Sequence, residues 1–266
     1  MRQAAANLAV VSETPGLDAE LLMAHALGLS REALLLGHLD DIVPANFAGL
    51  LARRLAGEPI AYIAGTRAFW TIELTVGPGV LIPRPDSETL IEAAVDHFDG
   101  RAPETILDLG TGSGALLMAA LDQWPNASGL GIDRSPDALE IARANARRLG
   151  LADRVRLCAG DWAEGIDTRF DLVLCNPPYI ESGAALPRDV SGYEPAAALF
   201  AGLDGLDAYR RLAPMFARLI APGGIACVEI GASQAEAVMA LFRAEGLAPS
   251  LLRDLAGRDR CITLPG

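Results

Sequence analysis

Thr105-Ile106-Leu107-Asp108-Leu109-Gly110-Thr111-Gly112-Ser113-Gly114 is an apolar run that breaks into a glycine loop and continues as Ala115-Leu116-Leu117-Met118-Ala119-Ala120-Leu121. The pattern predicts a buried strand, a tight turn and a helix. Glycines at 110, 112 and 114 tolerate positive φ and let the backbone approach a ligand closely, while the helix start offers free N–H groups. A nucleotide-like cofactor fits such a loop. The loop alone does not identify the cofactor, because Gly110, Gly112 and Ala115 also satisfy the dinucleotide pattern G-x-G-x-x-G/A, and a hydride-transfer enzyme stays open on this evidence.

The strands that follow narrow the choice. Ala127–Asp133 ends in a carboxylate roughly 20 positions beyond the loop, the separation at which an acid commonly takes a ribose diol. Asp133 is therefore the candidate ribose ligand, since Ser135 with Pro136 at the first helical position already caps the next helix. Val155–Gly160 delivers Asp161 and Trp162 to the same sheet edge, where an acid can accept from an adenine amino group and an indole can cover the ring. Phe170–Cys175 then delivers Asn176-Pro177-Pro178-Tyr179. Two consecutive prolines fix φ and remove two backbone donors, leaving carbonyls beside the Asn side-chain oxygen. A tip rich in acceptors suits a planar N–H group, a carboxamide or an exocyclic amine, with Tyr179 against its plane. Asp108, Asp133 and Asp161 make an acid-lined edge, which a negatively charged nicotinamide diphosphate would not prefer.

In this combination the chain resembles the class I S-adenosylmethionine methyltransferases, and within them the release-factor glutamine methyltransferases of the PrmC/HemK family. Further segments carry the resemblance: Gly57-Glu58-Pro59-Ile60-Ala61-Tyr62, Phe69-Trp70, Val80-Leu81-Ile82-Pro83-Arg84-Pro85-Asp86-Ser87-Glu88, Asn176-Pro177-Pro178-Tyr179-Ile180, Tyr193-Glu194-Pro195, Gly205-Leu206, Pro222-Gly223-Gly224 and Asp254-Leu255-Ala256-Gly257-Arg258-Asp259-Arg260. Ser87 and Thr71 are small departures that the sequence reading keeps outside the chemistry. The resemblance implies an α/β fold: a Rossmann-like seven-stranded sheet with a small N-terminal helical bundle joined by a β-hairpin. It implies S-adenosyl-L-methionine as cofactor, S-adenosyl-L-homocysteine as its product, and as substrate the glutamine of a Gly-Gly-Gln loop in a peptide chain release factor. Asp108, Gly110, Thr111, Gly112, Ser113, Gly114, Asp133, Asp161, Trp162 and Asn176 are the expected cofactor residues. Asn176, Pro177, Pro178 and Tyr179 are the expected catalytic ones, with Arg84 and Glu194 in supporting or partner-binding roles.

The rest of the chain agrees with this organisation. With 266 residues and 51% hydrophobic composition it can fill one large core and a satellite domain. Spacings of three and four over Asp18–Leu29, Glu32–Leu36 and Ala45–Leu55 predict a helical bundle. The expected division is a bundle over 1–66 that docks a partner, a β-hairpin linker over 67–82 and a catalytic domain over 83–266. Helices are expected at 86–98, 114–123, 136–149, 205–220 and 233–245, with closing strands near 225–230, 248–253 and 260–264. The aperiodic stretch 181–203 reads as a substrate-facing loop.

A net charge of −12, with no Lys in the chain, argues against a broad nucleic-acid footprint. The pairs Arg147-Arg148 and Arg210-Arg211 read as solvated helix faces. No apolar run of about 18 residues and no signal-like N-terminus is found, so a cytoplasmic protein without membrane contact is expected, and a monomer. Cys158, Cys175, Cys227 and Cys261 lie apart in apolar strands and read as buried thiols; no metal is expected. Two other classes stay open: a methyltransferase acting on nucleic-acid amines, which the acidic balance disfavours, and a catalytically silent binding module, which the intact Asn176 disfavours.

Overall fold

The computed structural model describes residues 1–39 and 42–266 and divides into two compact units. The first comprises Met1–Thr66, Val76–Pro78 and Leu186–Glu194. Its helices are α1 (Arg2–Leu8), α2 (Pro15–Leu27), α3 (Arg31–Gly37), α4 (Phe47–Leu55) and α5 (Ile60–Ala64). Pro15 opens α2, and Ser30 caps α3 by accepting from the Ala33 N–H at 3.1 Å. Leu8, Leu22, Leu34, Phe47 and Ile63 meet in one apolar cluster. Inside this unit the buried Arg54 donates through Nε to Asp18 at 2.7 Å and through Nη1 to Asp189 at 3.4 Å. The short helix Arg188–Ser191, which carries Asp189, is thereby tied to α4 and α2. Residues 186–194 thus pack with the helices, although the sequence places them in an aperiodic loop. Helices α1 and α5 have no counterpart among the helices expected from the sequence. Both lie outside the three periodic stretches, and α5 is a five-residue helix that starts after its N-cap Pro59.

The second unit comprises Arg67–Thr75, Gly79–Ala185 and Pro195–Gly266. A two-stranded ribbon, β1 (Thr66–Phe69) and β2 (Ile72–Thr75), precedes α6 (Thr89–Phe98), β3 (Thr105–Leu109), α7 (Ala115–Gln123), β4 (Ser128–Asp133), α8 (Pro136–Arg148), β5 (Val155–Ala159) and β6 (Phe170–Cys175). After α9 (Arg188–Ser191) come α10 (Ala196–Leu199), α11 (Asp207–Leu219), β7 (Ile220–Glu229), α12 (Ala235–Ala244), β8 (Ser250–Arg253) and β9 (Asp259–Pro265). Seven strands form one sheet in the order β5-β4-β3-β6-β7-β9-β8. Every pairing from β5 to β7 is parallel, and β9 runs antiparallel to both β7 and β8.

Strand alternation decides the two faces. Leu107, Leu109, Val173, Cys175, Ala226 and Val228 point toward Tyr209, Leu212 and Phe216 of α11 and Val238 and Phe242 of α12. The intervening residues face α6 and α7. There Gly129 lies so close to Leu117 that a Cβ would stand 2.5 Å from its Cδ1. Chain direction reverses its march across the sheet at β3 and β6, so a crevice opens at their carboxyl ends, where open α/β sheets bind ligands. One expectation about the core fails: Cys158 is exposed, because β5 is the edge strand.

Candidate active site at the carboxyl edge of the sheet

A cavity of about 380 Å³ lies over these strand ends, within the second unit. Asp108, Gly110, Thr111, Gly112 and Ser113 line one wall, Asp133 and Ser135 another, and Asp161 and Trp162 a third. Asn176, Pro178 and Arg134 also line it, together with Phe69, Val80, Ser87, Phe200 and Arg211. Nearly all the expected cofactor residues therefore converge. Gly114 does not line the cavity; it is the N-cap of α7.

The loop is shaped by hydrogen bonds and by one close approach. Both Gly110 and Thr111 donate backbone N–H to the Ile132 carbonyl at 2.9 Å, which pins the loop to β4. Gly110 adopts φ of 73°, and a Cβ there would stand 3.2 Å from the Trp162 ring. Trp162 itself holds φ of 54°, a left-handed conformation that costs a non-glycine residue about 1–3 kcal/mol and is retained where surrounding structure fixes it. The ring is thereby laid over the glycine loop at the cavity wall.

Three carboxylates face the cavity in different states. Asp133 Oδ2 accepts from the Gly112 N–H and Oδ1 from the Ser135 N–H, each at 2.8 Å. Each oxygen keeps a lone pair for a diol. The carboxylate therefore supports the turn as well as facing the cavity, so the capping by Ser135 of Ala138 does not exhaust the local structural work. Asp161 accepts from Arg211 Nη2 at 2.7 Å. Arg211 is thus part of the cavity, where the sequence reading has it on a solvated face.

Asp108 is fully buried. Its Oδ2 accepts from Thr111 Oγ1 at 2.6 Å, and its Oδ1 has no hydrogen-bond partner among the described residues. Burial, reinforced by the Asp133 charge, raises its pKa from the ordinary carboxylate range to about 7. A buried orphan acceptor beside a glycine cradle is the counterpart of a ligand that brings donors and positive charge. Those are the properties of the amino-acid end and sulfonium of S-adenosylmethionine, so the residues fit that cofactor.

At the Asn176 corner the four expected residues separate. Asn176 is half-buried and donates through Nδ2 to Ser87 Oγ at 3.2 Å. Ser87 thus touches the corner, contrary to the sequence reading, while Thr71 bonds to Asp122 on the surface. Pro177 is buried, Pro178 lines the cavity, and Tyr179 points behind it, donating through its hydroxyl to Glu229 Oε1 at 3.3 Å. Glu229, 1% exposed, is a group the sequence reading missed. Its signal was an acid ending the apolar run Ile225–Val228. Burial, only partly offset by Ser87 and Arg260, raises its pKa to about 7. Glu194 is buried in the first unit. No group of three His, Cys, Asp or Glu among the described residues could hold a metal ion, and no helix among them is long and apolar enough to cross a membrane.

Comparison with known proteins supplies the chemistry's setting. Residues 101–244 match the family described as a methyltransferase domain, and residues 1–65 match the PrmC N-terminal domain. The release factor glutamine methyltransferase of Rhodospirillum rubrum is 45% identical over 256 residues, covering 94% of this chain and 78% of that one. The protein of the same name from Caulobacter vibrioides is 41% identical over 257 residues, covering 94% and 89%. A solved methyltransferase from Pyrococcus furiosus superposes with a TM-score of 0.54 at 18% identity, covering 82% of this chain and 98% of that one, a likeness of fold.

Proposed function

The chain belongs to the release factor glutamine methyltransferases, and from that premise we propose that it methylates the side-chain amide nitrogen of the glutamine in the Gly-Gly-Gln loop of a peptide chain release factor. It is an S-adenosylmethionine-dependent methyltransferase. Asp108, the 110–113 backbone, Asp133, Asp161 and Trp162 would hold the cofactor, which supplies an electrophilic methyl group when bound. The observation that carries the substrate reading is the acceptor-rich Asn176 corner at the end of the same cavity.

A carboxamide nitrogen is a poor nucleophile because its lone pair is shared with the carbonyl, so placement matters more than basicity. In this reading Asn176 Oδ1 and the Pro177 carbonyl accept the two amide N–H bonds of the substrate and aim its nitrogen into the cavity. Fixed near-attack geometry lowers a barrier by about 7–11 kcal/mol in favourable cases. Positive charge grows on the nitrogen as the new bond forms, and the two acceptors hold that charge more strongly in the transition state than before it. The proton leaves to water afterwards. Pro178 walls the cavity beside the corner. Tyr179, read as packing against the amide plane, is anchored through its hydroxyl to Glu229.

The first unit is assigned as the docking surface for the bulk of the partner, and the cytoplasm, where translation terminates, as the site of action. The test is to incubate the protein with isotopically labelled S-adenosylmethionine and release factors carrying either the loop glutamine or a glutamate in its place. Label on the glutamine side chain, absent from the glutamate variant, is expected. Label on RNA or DNA instead would overturn the assignment.

A further inference from the structure

The single turn Pro85–Glu88, which precedes α6, sends three consecutive side chains to three different elements. Asp86 pairs with Arg260 of β9 at 3.2 Å, Ser87 accepts from Asn176 Nδ2 at 3.2 Å, and Glu88 Oε1 accepts from the Trp70 N–H at 2.9 Å. The first two hold the turn against the sheet and the Asn176 corner. The third reaches the ribbon, 18 positions back in the chain, and has no part in the reaction described above. Arg67, on β1, makes a second tie to this segment by donating through Nε to the Pro83 carbonyl at 3.2 Å.

Trp70 is an unfavourable residue for its place. It opens the two-residue turn between β1 and β2 with φ of 54°. Tight turns between strands give a left-handed position to Gly, Asn or Asp, because a larger side chain crowds the backbone there. Its indole Nε1 is also buried without a partner among the described residues. A bulky residue in that conformation persists only where its surroundings over-determine it, and such positions gather at functional sites. Glu88 fixes the backbone at that point, through the N–H of the strained residue itself.

The consequence lies one residue earlier. Phe69, 1% exposed, lines the cavity together with Ser87 and Asn176. The peptide plane between Phe69 and Trp70 turns with the Trp70 φ, so a turn that relaxes to negative φ carries the Phe69 ring off that wall. We propose that Glu88 is a positioning residue for methyl transfer, holding the Trp70 turn left-handed so that Phe69 keeps its place on the cavity wall beside the Asn176 corner. Ser87 and Glu88 are neighbours in one turn, so the wall and the corner are set against each other by a frame two residues wide. A ring displaced there loosens the space into which the substrate amide is aimed, and small misplacements of reacting atoms slow a reaction steeply.

The inference rests on the substrate reading above, and its test separates the two. Single-turnover methyl transfer is measured at saturating cofactor and release factor, at a temperature where thermal scans show each variant folded. The proteins compared are the wild type, Glu88→Ala, Glu88→Gln, Trp70→Gly, Trp70→Ala and Glu88→Ala combined with Trp70→Gly. Glu88→Ala is expected to slow transfer about 10-fold to 100-fold. Glu88→Gln, which keeps an acceptor oxygen, is expected to recover most of that rate. Glycine takes positive φ freely and alanine does not, so Trp70→Gly is expected to outpace Trp70→Ala, and Glu88→Ala should lose little when added to Trp70→Gly. Each rate is read from a saturated, folded complex, so a role in stability alone would leave it unmoved. An active wild type with Glu88→Ala at the same rate, Glu88→Gln no better than Glu88→Ala, or Glu88→Ala equally harmful with and without Trp70→Gly overturns the inference alone. Trp70→Ala matching or exceeding Trp70→Gly does so too, a comparison that stands even where Glu88→Ala does not fold. A wild type that leaves every glutamine unmodified removes the substrate reading, and the inference falls with it.

Discussion

Arg211 on α11 holds the Asp161 carboxylate at 2.7 Å on the cavity wall, joining a helix on one face of the sheet to the tip of the edge strand β5. Both side chains are nearly half exposed, so the pair contributes little to stability, about 0–1 kcal/mol. Its effect falls on the ligand. Arg211→Ala is expected to leave the thermal midpoint of the cofactor-free protein within a degree or two, and to weaken cofactor binding several-fold by releasing Asp161. Calorimetric titration of the variant checks this. Unchanged affinity would show that Asp161 orientation does not matter to the cofactor.

Gly205 sits against the chain that leaves the Asn176 corner. It adopts φ of 70°, and a Cβ there would stand 2.3 Å from the Tyr179 carbonyl oxygen and 2.7 Å from Gln234 Nε2, a side chain that itself donates to that carbonyl at 3.0 Å. Gly205→Ala therefore combines backbone strain with a collision against main chain. It should cost about 2 kcal/mol or more and lower the melting temperature by roughly 5 °C, with kcat reduced as the corner shifts. Scanning calorimetry alongside the methyl-transfer assay measures both; a variant as stable as the parent would mean the loop yields freely.

Asp108 links cofactor binding to pH. Because burial raises its folded-state pKa from the ordinary carboxylate range to about 7, the folded protein binds that proton more tightly than the unfolded chain. The cost of ionising it is absent below about pH 4, grows as pH rises through the interval to about 7, and is fully present above. Glu229 acts in the same sense. The cofactor-free protein should lose stability across this window. Asp108→Asn should remove part of the loss, on the order of 1–3 kcal/mol at pH 8, while weakening cofactor binding about tenfold or more, since the acceptor loses its charge. Denaturant titrations at pH 5 and 8, with and without cofactor, give both signs.

Much of this arrangement is legible in the sequence because it is written in short-range signals. Strand, glycine loop and helix at 105–121 follow one another within a few residues, and the parallel sheet then carries Asp133, Asp161 and Asn176 to one edge. What the sequence hides is tertiary. Ser87 and Asn176 are 89 positions apart, and nothing local marks Ser87 as the partner of that amide. Arg211 reads as a surface charge on an amphipathic helix until the fold sets it opposite Asp161. Tyr179 reads as a ring set against a planar amide, while the anchor of its hydroxyl on Glu229, 50 positions away, has no local mark. Segment 186–194 lacks a period because its place is fixed by Arg54 meeting Asp189, far away in the chain.

The most direct measurement is the single-turnover rate of methyl transfer to the release-factor glutamine for the wild type and Asn176→Ala, each pre-saturated with S-adenosylmethionine. Removing one preorganised acceptor should slow the transfer from the saturated complex by about 100-fold to 1000-fold. A variant that transfers the methyl group at the parent rate would contradict the assignment of this corner as the place where the amide is held.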